Sequence, residues 1–168
     1  MKSFAINIID RVIARWCLAI KNTLINSNDE PNTHRYHFLW PDEYWSDEHG
    51  LVNARPWYLP FNVFLHNWIK SDDGLLHDHP RWSITIVLKG CLIEETPTKY
   101  KWLKPGAVVF RSRKYVHRII VPKTHEGSVW TLFIVGRRRF KQSYYSKSGE
   151  LKKAYTGGGV TVGEDDAA

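Results

Sequence analysis

From Phe61 onward, apolar and polar positions alternate with a period of two, the pattern of strands. Phe61, Val63, Leu65 and Ile69 share one face, while Asn62, His66 and Lys70 share the other with Phe64 and Trp68. After His77 the apolar run Ile84–Leu88 leads to a Lys89-Gly90 turn. Cys91–Glu95, Ala107–Arg111, Tyr115–Val121 and Ser128–Val135 read as further strands. Between them, Ser71-Asp72-Asp73-Gly74, residues 96–106 with Pro97, Pro105 and Gly106, Ser112–Lys114 and Pro122–Gly127 carry turn and loop chemistry. Short strands with turns about every eight to twelve residues and no helix between them predict an all-β sandwich or barrel.

The period changes at the start of the chain. Ala5, Ile9, Val12, Trp16 and Ile20 recur at helical spacing, with Asn7, Arg11, Arg15 and Asn22 on the wet side. An amphipathic helix is expected over residues 4–21, covering an open side of the main fold. Asn26–Pro31 is a connector, and residues 32–60, punctuated by Pro41, Gly50, Pro56 and Pro60, predict short strands or ordered loops. His34, His37 and His49 in that stretch have no compact ligand spacing, and Arg55 reads as a solvated arginine. The division expected is therefore an N-terminal helix over 1–25, a barrel over 26–145 and a polar, partly disordered tail over 146–168 opened further by Gly157-Gly158-Gly159.

At 168 residues the chain has the length of one domain with a proper core. Aromatic residues make up 14%, with eight Trp, which suits broad sheet faces. The net charge is +7, and residues 157–168 hold Glu164, Asp165 and Asp166 without a base. Residues 1–156 thus carry 24 Lys and Arg against 14 acids, a net +10. Such a body tolerates anionic ligands such as phosphates, carboxylates or nucleic acid, and charge alone does not choose among them. Cys17 and Cys91 form no paired motif and read as reduced thiols. The N-terminal apolar stretch is broken by Asp10, Arg11 and Arg15, so neither a membrane span nor a signal peptide is expected, and a cytoplasmic location is.

The chemistry concentrates in Leu76-His77-Asp78-His79-Pro80. On an extended segment His77 and His79 project to the same side, giving half of a transition-metal site. His117, in Arg113-Lys114-Tyr115-Val116-His117-Arg118, is the best candidate to complete it. Three neutral imidazoles leave coordination positions open for substrate, water or dioxygen. His66 projects from a preceding strand toward the same pocket, and Arg111 could turn inward and clamp a carboxylate or phosphate with its fork. Trp82 and Tyr115 are further candidates for the pocket lining. Glu94 or Glu95 could supply a compensating carboxylate, though the two read first as a solvated pair, and His125 reads as a solvated loop residue.

These spacings resemble the cupin superfamily, whose members are double-stranded β-helices (jelly rolls) with a site inside the barrel. In its first motif, G-x5-H-x-H-x3,4-E-x6-G, His77 and His79 take the histidine places, Ser83 stands in the glutamate place and Gly90 closes the motif. In the second, G-x5-P-x-G-x2-H-x3-N, Gly106 and His117 are in register, while Ser112, Lys114 and Val121 replace Pro, Gly and Asn. Fifteen residues separate Gly90 from Gly106. The likeness covers roughly residues 61–135 and implies an all-β jelly roll, to which the periodicity of residues 4–21 adds an N-terminal amphipathic helix. With Ser83 in the acidic place it implies a three-histidine site: ferrous iron first, with zinc, nickel or manganese also compatible.

His77-Asp78-His79 and Leu88-Lys89-Gly90 with Glu94 also resemble the cysteine-dioxygenase branch, which oxidises a thiol with dioxygen. Two departures stand out. The position of that branch's crosslinked cysteine falls near Ser83 or Ile84, and its Ser-His-Tyr relay is absent from residues 128–135. The resemblance implies a non-haem iron dioxygenase acting on a small anionic substrate. A metal-free sugar-nucleotide isomerase or epimerase and a non-catalytic small-ligand-binding cupin are the alternatives. Membrane and nucleic-acid partners are not expected, and dimerisation through a sheet edge or the N-terminal helix is.

Overall fold

The computed structural model describes residues 21–25, 31–41, 44–46, 49–52, 54–72, 75–138, 142–148 and 150–154. Apart from Lys21, the helix read over 4–21 lies outside the described residues, as does the glycine-led tail from 155 on. Among the described residues no helix is long and apolar enough to cross a membrane.

The strands are β1 (Lys21–Ile25), β2 (Pro31–His37), β3 (Tyr44–Ser46), β4 (Gly50–Val52), β5 (Asn62–Trp68), β6 (Leu76–His77) and β7 (Ser83–Lys89). They continue with β8 (Leu92–Glu95), β9 (Tyr100–Leu103), β10 (Val108–Arg111), β11 (Arg118–Ile120), β12 (Val129–Val135), β13 (Ser143–Tyr145) and β14 (Leu151–Ala154). One layer is a six-stranded antiparallel sheet in the order β1-β2-β5-β12-β7-β10. Facing it are two three-stranded sheets, β11-β8-β9 and β14-β13-β6. A single antiparallel bridge, His77 to His117, joins these two into one second layer. Two of the three candidate ligand histidines are thus also the stitch in that layer.

Three sequence expectations are corrected. Lys21–Ile25, assigned to the N-terminal helix, is an edge strand laddered on β2, from Lys21 opposite Tyr36 to Ile25 opposite Pro31. Residues 96–106, read as loop, contain β9. Pro97 and Pro105 lie outside the strand, and the Tyr-Lys-Trp-Leu between them is a good strand former paired with β8. The start of the tail, read as polar and partly disordered from 146, includes β14, which pairs with β13.

Inward-facing side chains divide the barrel interior into two halves. Toward one end, Val87, Leu92, Leu103, Val109, Ile119, Val121 and Val129 form a dry cluster, with Trp68 and Ala107 packed on it. Each such burial contributes roughly 1.5–3 kcal/mol, which makes this half the main source of cohesion. Gly90 turns the chain from β7 into β8 here at φ +74°, and a Cβ at this position would meet Val129 Cγ2 at 2.8 Å. Farther along the same inner faces the residues become polar. Val87 gives way to Thr85 and Ser83, Val109 to Arg111, and Leu92 to Glu94, all buried. An interior that stops being apolar while staying dry is built for something other than cohesion.

Candidate metal centre

Both ring-bearing backbones at the bridge are locked: His77 N donates to His117 O at 2.8 Å, and His117 N donates to His77 O at 3.0 Å. Directly opposed residues of an antiparallel pair project to the same side. His79, two residues after His77, turns to that side as well. The three rings form a triangle with centroid separations of 5.1 Å (His77–His79), 5.5 Å (His77–His117) and 5.0 Å (His79–His117). One nitrogen from each lies within 4.8 Å of the others, and His79 Nε2 is 2.8 Å from His117 Nε2. Metal–nitrogen bonds of about 2.0–2.1 Å put ligand nitrogens roughly 3 Å apart, so this triangle fits a single ion.

A ligand imidazole must be neutral. Burial, reinforced by the charges of His117, His77, Arg111 and Arg81, pushes His79 well below the usual histidine range. Burial likewise lowers His117, to about 4, against the opposing pull of Glu94. Both rings therefore offer lone pairs at neutral pH.

Glu94, read from sequence as half of a solvated pair, is buried behind His117. Its Oε1 accepts from Arg111 Nε at 2.5 Å and lies 3.0 Å from His117 Nδ1, and its Oε2 accepts from Tyr115 Oη at 3.3 Å. Burial raises the Glu94 carboxyl pKa, but the His117 contact and the Arg111 guanidinium outweigh burial and bring it to about 2. An ionised carboxylate at Nδ1 favours the tautomer with the proton there, leaving Nε2 bare toward the triangle. The signal in the sequence was the alternation of β8, which places Glu94 on the inner face with Leu92. Glu95 is buried too, held by Arg118 and by Tyr100 Oη at 2.8 Å.

Arg111 turns inward at 1% exposure and donates through Nη1 to Thr85 Oγ1 at 2.6 Å. Among the described residues its buried Nη2 has no hydrogen-bond partner, and the same holds for Ser83 Oγ, from the residue directly opposite on β7, and for His66 Nδ1. His66 Nε2 accepts from Arg35 Nε at 2.9 Å, and its ring packs on Phe133 at 4.9 Å, which in turn lies 6.4 Å from His79. Burial, then Arg35 and His37, lowers the His66 pKa well below the usual value.

Tyr115 stands beside the site, its ring 5.6 Å from that of His117. Trp82 sits elsewhere, stacked on Phe110 at 6.4 Å in a cleft of about 420 Å³ with Pro60, Arg113 and Arg137. Arg55, read as solvated, is buried and donates to Val135 O and Gly136 O, so its role is to tie down the chain leaving β12. His34 bonds Thr23 and His37 bonds Trp40 O, which leaves both outside the triangle.

No family model and no curated protein matches the chain. Several solved structures are similar to it. An RmlC-like cupin protein from Ralstonia eutropha superposes with a TM-score of 0.51 at 10% identity, over 80% of this chain and 73% of that one. A protein with a cupin-like fold from the same organism gives 0.48 at 13% identity, over 80% and 71%. KdgF from Halomonas sp. gives 0.47 at 15% identity, over 66% and 83%. With two antiparallel layers closed around a half-polar interior, the chain folds as a cupin jelly roll.

Proposed function

We propose that this chain is a metal-binding cupin carrying out dioxygenase-type chemistry on a small anionic substrate. The reading is carried by one observation: three imidazoles converge on one point in the half of the barrel that also holds buried polar atoms with no partner. His77, His79 and His117 would hold a divalent metal, ferrous iron first, with zinc, nickel or manganese fitting the same donors. Any of these ions would supply a Lewis-acidic centre with positions open to small ligands, and iron would supply a redox-active one as well.

The chain's own residues do the rest. Glu94 keeps the His117 proton on Nδ1, fixing the orientation of that ligand. Arg111 Nη2 and Ser83 Oγ offer donors to an anionic group, and His66 Nδ1 adds a third polar contact. In a native interior such orphaned atoms call for an explanation, and a bound ligand satisfies them. Phe64 and Phe133 line the wall around His66 and keep water from competing with those contacts. Among small anions, a thiol-bearing carboxylate is the class that the His-Asp-His resemblance implies.

The test is oxygen uptake by ferrous-loaded protein across a panel of small thiols and carboxylates, with Arg111→Met alongside. Uptake that depends on iron and falls in Arg111→Met supports the reading. No iron-dependent uptake with any member of the panel would overturn it. Ligand binding without turnover would leave a sensor.

A further inference from the structure

We propose that the C-terminal hairpin β13–β14 forms a wall of the histidine site, with Tyr144 closing it on the His77 side and Asp78 latching the hairpin in place. The inference builds on the reading of the histidine cluster as the functional site.

Asp78 stands between two ligand histidines yet turns away from them. Its Oδ1 accepts from Ser143 N at 2.7 Å, its Oδ2 accepts from Tyr145 Oη at 3.0 Å, and its own N donates to Ser143 O at 3.0 Å. All three bonds go to β13. The ladder between β6 and β13 is short, only Tyr144 opposite His77 and Tyr145 opposite Leu76. So short a pairing is marginal alone, and the carboxylate bonds of Asp78 supply much of what holds it.

The register decides what the hairpin delivers. Tyr144 lies directly across from His77 and so projects to the same side as that ligand. Their ring centroids are 6.0 Å apart at 55°. His117 flanks His77 from the other neighbouring strand. His77 is thereby held between His117 and Tyr144, and a ligand reaching the triangle from the β13 side meets an aromatic ring.

The test is carbethoxylation of histidines by diethyl pyrocarbonate in metal-free protein, read per residue by peptide mass spectrometry. In Tyr144→Ala the His77 rate is expected to rise about tenfold, while Tyr144→Phe, which keeps the ring, stays near wild type. Asp78→Ala is expected to raise the rate by about tenfold through loss of two carboxylate hydrogen bonds, with faster amide exchange at 143–145. His125, in the turn before β12, serves as the reagent control, and amide protection in β5, β7 and β12 shows that the barrel is intact. A His77 rate in Tyr144→Ala within about twofold of wild type would overturn the wall. Unchanged exchange at 143–145 in Asp78→Ala would overturn the latch. A zinc-loaded arm separates this from the metal reading. If zinc fails to protect His77, His79 and His117, the metal reading fails, while the metal-free rates still judge the wall.

Discussion

The ion pair between Arg111 and Glu94, both 1% exposed, is where the site's chemistry and its cost meet. Burying two charges is expensive even when they pair, and here they also support His117 through a 3.0 Å contact. Glu94→Gln is expected to lower metal affinity by about 10–100-fold, measured by competitive zinc titration, because the proton on His117 Nδ1 is no longer fixed. The pH dependence of the metal-free protein follows from the same residues. His79 and His117 have folded-state pKa values below their unfolded ones, so the unfolded chain binds protons first as pH falls. Stability present above about pH 6.5 is then lost toward pH 4, with His117 alone accounting for roughly 3 kcal/mol. Glu94, held to about 2, adds a second loss as pH falls below the usual carboxylate range. Urea midpoints between pH 7 and 4 check the first step, and a flat profile would contradict it. His77, His79 and His117 were legible in the sequence because their spacing is local or matched to two glycine turns. Glu94 was not, since a pair of adjacent carboxylates is ordinarily solvated and its partners lie 17 and 23 residues away.

Among the elements, the long strands β5, β7 and β12 announced themselves, because seven residues give alternation room to repeat. β9, set between Pro97 and Pro105, and β13, in a polar Ser-Tyr-Tyr stretch, carry no apolar run to mark them, and what makes them strands is the free edge of a neighbour. Residues 61–70 show a further limit. The face holding Asn62, Phe64 and His66, which looked like the more polar one, points into the barrel, because the interior at that end is polar by design. The turn at Gly90 carries a sharper expectation. Both its positive φ and the approach of Val129 exclude a side chain, so Gly90→Ala is expected to cost about 1–3 kcal/mol, read from chemical denaturation. A loss below about 0.5 kcal/mol would show that the turn relaxes freely.

The molecule as a whole separates an apolar half from a polar half along one barrel. The apolar cluster from Val87 to Val129 holds the layers together, so the half around Arg111 is free to carry charges, orphaned donors and a converging set of imidazoles. The bridge between His77 and His117 couples the two roles, since the stitch joining the second layer also sets the geometry of the site. The most direct measurement is metal content by mass spectrometry after anaerobic loading of untagged protein with ferrous iron, wild type beside His79→Ala. The account predicts close to one transition-metal ion per wild-type chain and almost none in the variant. Equal metal in both, or none in either, would contradict it.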